Sequence, residues 1–230
     1  MTTFALQPSG QPDAKVVQDQ QQVNQWLGAL GLDEQWILQA RIAGMDSRGS
    51  LIPGACALTA AGSLQWHYTV QAVRAQLGLQ GWSLIDPRGC PFAVSPDRSV
   101  ALVVMTGDAA TGLPDQGPPR NSSTKGRTTQ AAIDGDLFRQ PEGKHVEDFQ
   151  QENLATQVWV LLIHYDERLR ESRAELSRPN GFDGRYITSW GTRLLLEPVA
   201  GDGAVVVTPV GDAPTAPQPV VVEVSPKTGT

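Results

Sequence analysis

Apolar positions recur at helical spacing near the start of the chain, where Val23, Trp26, Leu27 and Leu30 stand out from a Gln-rich background. Gly31 follows where a left-handed cap belongs, and Asp33 is placed to cap a second helix carrying Trp36, Ile37 and Ala40. Gly44 and the polar run 46–50 read as its end, giving a helix pair over 20–43. The polar segment 1–18 reads as a flexible leader. Residues 51–66 fit no single period, whereas Val70, Val73 and Leu77 predict a helix over 68–77.

The pattern then changes to strands. Phe92–Val94 and Ser99–Met105 flank Ser95-Pro96-Asp97-Arg98, which predicts a hairpin closed by a Pro-Asp turn. The second arm is apolar on both faces and reads as a covered, central strand. Residues 158–165 (VWVLLIHY) form the other strong strand signal. The more polar 169–176 reads as its edge-like partner, and 186–190 and 194–197 supply further strands. Between these blocks, 107–130 has no aliphatic period and is rich in Gly, Pro, Ser and Thr, so the pattern predicts a mobile loop. A weak helix is expected near 130–138. Past 199, the Val-rich runs 204–210 and 219–224 read as a weakly anchored β arm or tail.

These elements assemble as an α+β fold: a mostly antiparallel sheet covered on one face by the N-terminal helices, with a long polar loop and a Val-rich C-terminal β arm. The expected organisation is a leader over 1–18, a single domain over 19–198, and the arm over 199–230. Helices and strands do not alternate regularly, so a doubly wound nucleotide-binding fold is not expected.

Composition narrows the function classes. Lys+Arg 18 against Asp+Glu 24 gives a formal net charge of -6, which makes nucleic acid an unlikely main partner without excluding a local patch. It also disfavours docking on anionic lipid. The N-terminus lacks a basic start followed by an apolar run, and no apolar run approaches the ~20 residues that span a bilayer. The expectation is a soluble cytoplasmic protein with no membrane association. Cys56 and Cys90 have no companion cysteine nearby and read as buried free thiols rather than zinc ligands or nucleophiles.

Standard nucleotide, metalloprotease, serine-hydrolase and redox motifs are absent from the sequence. His67, in Trp66-His67-Tyr68, reads as part of a core aromatic group. His164 and Asp166 are two apart on one strand and so face the same way. With Asp108 at the end of the second hairpin strand and Asp115 in the following loop, they form a conceivable carboxylate–histidine metal site. Glu142-Gly143-Lys144 resembles the Glu-x-Lys element of metal-dependent nucleases, but no apolar strand holds it. Arg120, Lys125 and Arg127, around Asn121-Ser122-Ser123-Thr124, are a candidate phosphate cradle or binding patch. Arg168, Glu171 and Arg173, with Glu175, read as a charged stripe on an exposed strand, fit for selective protein docking.

Two functions follow as expectations. The first is a non-enzymatic protein-interaction, accessory or regulatory protein without a cofactor, pairing with another protein or a second copy through the C-terminal arm. The alternative is a metal-dependent phosphoester hydrolase using Asp108, Asp115, His164 and Asp166.

Overall fold

A computed structural model describes residues 14–52, 54–138 and 156–201. Asp19 opens helix α1 (Gln20–Ala29) by accepting a hydrogen bond from the Gln22 amide at 2.9 Å. Gly31 then adopts φ +72°, and Asp33 opens α2 (Glu34–Gly49) by accepting from the Gln35 amide at 2.7 Å. The Gly31 and Asp33 signals were legible in the sequence; the Asp19 cap was not read there.

Gly44 was expected to end the second helix, yet it lies inside α2. Here α2 packs against α3 (Ala60–Leu79) so closely that a Cβ on Gly44 would sit 2.2 Å from Thr69 Oγ1 and 2.8 Å from the Gln65 carbonyl oxygen. The glycine is a contact residue rather than a stop.

Seven strands form one mixed sheet in the order β1-β7-β6-β5-β4-β3-β2. They are β1 (Lys15–Val17), β2 (Ser83–Ile85), β3 (Phe92–Val94), β4 (Val100–Thr106), β5 (Gln157–Asp166), β6 (Glu171–Phe182) and β7 (Ile187–Ala200). Pairings β4–β5 and β1–β7 are parallel, and the rest are antiparallel. The α+β class and the predominance of antiparallel pairing match the pattern-based expectation.

Three elements differ from it. Lys15–Val17, at the end of the supposed leader, form β1 against Thr192–Leu194. The two expected strands at 186–197 are one continuous β7, running to Ala200. Most consequentially, β6 is not an edge: it lies between β5 and β7, and Ser172 through Ser177 are all buried. The Val-rich runs 204–210 and 219–224 lie outside the described residues.

The sheet is covered on both faces. Val23, Leu27, Ile37, Val73 and Leu77 from the helices pack on Leu102, Trp159, Leu161 and Leu176. On the opposite face, Phe138, after the short helix α4 (Arg127–Ile133), joins Phe92, Val103, Val160, Leu162 and Trp190. This two-sided cover explains why β4 and β5 are unbroken apolar runs. Among the described residues no helix is long and apolar enough to cross a membrane.

Candidate functional site

The segment after β4 does not float. Gly107 donates to the Ile163 carbonyl at 2.8 Å and forms an isolated bridge with Asn121. Thr111 and Asn121 are fully enclosed. Asn121 Oδ1 accepts from the Ile187 amide at 2.8 Å, while its Nδ2 donates to the Ser123 carbonyl at 2.7 Å. Trp190 Nε1 donates to the Pro119 carbonyl at 2.8 Å. The mobile loop expected over 107–130 is thus a docked cover, held by backbone groups that no hydrophobic pattern reveals.

Its main anchor is a buried ion pair. Glu175 accepts from Arg193 Nη2 at 2.6 Å and Nε at 2.9 Å, and from Ser177 Oγ at 2.7 Å. Oε2, which takes Arg193 Nη2, also accepts from the Gly112 amide at 2.9 Å. Arg193 spends its other donors on the Leu113 and Gly117 carbonyls at 3.1 and 3.3 Å. Gly112 needs its φ of +73° here, and a Cβ would already lie 3.2 Å from that of Arg173. The 112–117 stretch is therefore fixed to the sheet through charge.

The residues proposed as a docking stripe are not a surface. Arg173 is 5% exposed and its Nη2 donates to Asp166 Oδ2 at 3.3 Å, with Glu171 3.8 Å from its Nε. Glu175 is wholly buried, and only Arg168 of the set is well exposed. The physical reason is the central place of β6: its charges pair beneath the cover instead of meeting solvent. Arg48 supports the same end of the sheet by stacking on Tyr165, 4.1 Å from the ring centre, and pairing with Glu167.

The four residues of the metal reading have separate duties. Asp108 accepts from the Ala110 and Arg120 amides, each at 3.1 Å, as a turn residue does. Asp115 is exposed. His164 Nδ1 lies 3.3 Å from the Gly107 carbonyl oxygen. Asp166 closes the β5–β6 turn by accepting from Arg168 and Leu169; the Leu169 amide, then Arg168 and Arg173, hold its carboxyl below the ordinary range. Among the described residues no three His, Cys, Asp or Glu side chains group as a metal would require. Glu142 and Lys144 lie outside them.

The three cations of the candidate cradle also have individual settings. Arg120 is exposed and adds to the positive field that lowers the Asp183 carboxyl, behind the Tyr186 and Arg185 amides. Lys125 is half-buried and donates to Ser123 Oγ at 2.8 Å; burial lowers its ammonium, opposed by nearby Cys90. Arg127 is exposed at the first position of α4. Cys90 is half-buried and its thiol is pushed up by burial, while Cys56 is exposed, so neither is the deeply buried thiol expected. His67 is likewise exposed, with its ring 4.7 Å from that of Trp66.

Two features escaped the motif reading. Arg41 is 3% exposed between α2 and the sheet, where burial lowers its guanidinium to about 10 against the opposing charge of Glu34. It donates to the Ser172 carbonyl at 2.6 Å and the Glu197 carbonyl at 2.9 Å. The register places both Glu197 and Pro198 opposite Arg173, so Arg41 bonds backbone at an irregular step in the ladder. A small cleft of about 80 Å³ lies beside it, between α2 and the end of β7.

The second is the connection between α2 and α3. Residues 52 and 54–59 are all exposed, including Ile52 at 70% and a fully exposed Leu58. The sequence did carry a signal: no Asp, Glu, Lys or Arg occurs between Arg48 and Arg74. Comparison of the chain with family models, curated proteins and solved structures finds no match.

Proposed function

We propose that this protein is a non-enzymatic interaction protein, an accessory or regulatory subunit that docks a protein partner through the apolar α2–α3 connection. The observation that carries this reading is the exposure of Ile52 and Leu58 on a connection free of charged side chains. Burying such a side chain in an interface is worth roughly 1.5–3 kcal/mol, and an uncharged surround lowers the desolvation cost of docking. The Val-rich run 204–210 is a second element of the same reading, since strand addition to a partner or a second copy would satisfy its backbone. A protein surface fits these features better than nucleic acid, whose phosphates call for converging cations.

Affinity capture from the native cell tests this with the full chain and an Ile52→Asp/Leu58→Asp variant side by side. The expected result is a co-purifying protein at near-stoichiometric level, reduced at least tenfold by the variant, with denaturant unfolding unchanged. Equal retention by both chains, or retention of no protein by either, refutes it.

A further inference from the structure

The start of α2 carries Glu34, Ile37, Leu38 and Arg41 at steps of three and four, hence on one helix face, beside residues 196–199 of β7. The cleft of about 80 Å³ lies between them. It forms where the ladder is irregular: Ser172 pairs with Val199 and Ala174 with Leu196, so Glu197 and Pro198 both stand opposite Arg173. Ile37, Leu196 and Val199 are buried and give the cleft apolar walls.

Arg41 is the buried polar side chain of this lining. A guanidinium has five N–H donors. Nη1 and Nη2 each give one to a backbone carbonyl, of Glu197 and of Ser172, while Nε has no acceptor among the described residues. Both acceptors are neutral. Glu34 acts on Arg41 through its field alone, and its Oε2 already takes Asn24 Nδ2 at 2.7 Å. Burial lowers the guanidinium to about 10, which still leaves it charged at neutral pH. A buried cation without a bonded carboxylate, and with a donor left over, is an unfavourable arrangement on its own. Ser172 repeats the pattern. Its side chain shares a face with that of Val199 across the ladder, and its buried hydroxyl has no partner among the described residues. Holding the irregular ladder step accounts for Nη1 and Nη2 but not for Nε or Ser172 Oγ.

We propose that this cleft binds a small aliphatic monocarboxylate, with its carboxylate on Arg41 and its carbon chain against Ile37, Leu38 and Val199. A carboxylate matches the guanidinium fork, taking Nε–H and a neighbouring Nη–H side by side. Volume sets the size of the ligand. An apolar cavity of about 150 Å³ admits benzene, so about 80 Å³ encloses roughly three to four heavy atoms, a carboxylate with its first carbons. The rim sets its charge. Glu34 and Glu197 border the cleft, so a second negative charge, as in a dicarboxylate or a phosphate, would be repelled there. The cleft sits at the start of α2 and the apolar connection follows its end, so this site and the docking surface stand or fall separately.

Titration of the full chain with propionate tests the proposal, read by nuclear magnetic resonance at the Arg41 Nε–H group. The expected result is a saturable shift with half-saturation in the millimolar range, and at least tenfold weaker binding of malonate and of inorganic phosphate. Leu38→Trp, at a half-buried position of the lining, fills the cleft and leaves the Arg41 carbonyl bonds in place. It should weaken propionate binding at least tenfold. Denaturant unfolding of the unaltered chain is the second measurement and needs no variant. Propionate at ten times its half-saturation concentration should lower the unfolding equilibrium constant about tenfold, and n-propanol at the same concentration should not. Absence of a saturable shift would overturn the proposal, as would an unfolding equilibrium that propionate leaves unchanged. Phosphate or malonate binding as tightly as propionate, or propionate binding undiminished in a folded Leu38→Trp chain, would mean an adventitious ion only and overturn it equally.

Discussion

Removing the Glu175 charge should separate what the ion pair does for the sheet from what it does for the cover. In Glu175→Gln the side chain keeps its shape, but Arg193, 2% exposed, loses its counter-charge. Leaving one member of a buried pair uncompensated typically costs about 3–5 kcal/mol. Replacing both members, as Glu175→Leu/Arg193→Met, removes the stranded charge, and apolar substitutes of similar volume are often neutral for global stability. The double variant should therefore recover most of the loss seen in the single one. The cover behaves differently, because the Gly112 amide and the Leu113 and Gly117 carbonyls lose their charged partners together. Hydrogen bonds to charged groups contribute about 1.5–3 kcal/mol each, so even one equivalent lost means roughly 10–100-fold easier local opening. Urea unfolding gives the global term; amide exchange over 109–119 and the rate of tryptic cleavage after Arg120 give the local one. A double variant as unstable as Glu175→Gln, or one whose cover stays as protected as in the unaltered chain, would refute the argument.

Trp159→Ala and Trp190→Ala should each cost about 3–5 kcal/mol in denaturant unfolding, since both rings are 1% exposed; a loss below about 1 kcal/mol for either would contradict their place in the core. Trp190→Phe should cost about 1–3 kcal/mol more than Trp159→Phe, because of the two rings Trp190 alone has a hydrogen-bonded indole N–H, and its loss strands the Pro119 carbonyl; equal costs would show that bond to be unimportant. The carboxyls of Asp97, Asp166 and Asp183 are held low, for Asp97 first by Ser95 Oγ and then by the Ser99 amide and hydroxyl. Folded pKa values below the unfolded ones make their contribution complete above the ordinary carboxylate range, near pH 4, and progressively lost as pH falls through the folded values. Asp97→Asn should consequently flatten the acid limb of a stability–pH profile; an unaltered slope between about pH 2 and 5 would be the contrary result.

Strands whose neighbours are all apolar were readable because their environment is written in their own residues. Trp159 through Ile163 meet apolar side chains on both faces, and the hairpin turn at Ser95–Ser99 carries its own Asp97 hydrogen bonds. β6 was misread for the opposite reason. Glu175 signals solvent unless one knows that Arg193, 18 positions away, lies beside it, and that follows from a register placing Glu175 opposite Leu195. The same holds for the cover, whose order comes from carbonyls and amides seated on β6 and β7 side chains. Gly44 shows a related ambiguity: a glycine's freedom ends helices, but its small size also lets α2 and α3 approach. Among the candidate residues, sequence reasoning correctly placed Asp108 and Asp166 at strand ends. It could not show that their oxygens were already occupied by neighbouring amides.

Local rules are broken in two ways here, and the difference between them locates the outward-facing surface. Charged side chains are buried, and aliphatic side chains are exposed; natural sequences tend to break such rules where function or strain demands it. The buried charges are answered from within. Glu175 meets Arg193, Arg173 meets Asp166, and Arg41 meets two backbone carbonyls. Each of those arrangements fixes a cover, a turn or an irregular ladder step. Their polarity serves the fold, with Arg41 Nε and Arg173 Nε the buried donors of this set left without a hydrogen-bond acceptor among the described residues. Ile52 and Leu58 have no comparable internal answer: lengthening or displacing that connection would cost no described core contact, yet it presents large aliphatic groups to water. Scattered single leucines are ordinary on protein surfaces, but two within one charge-free connection are a concentration of unburied area. The polar cover over 107–126, which by length and composition is the more conspicuous candidate, is thereby accounted for as structure, and the docking reading proposed above therefore rests on the exposed aliphatic side chains of the α2–α3 connection.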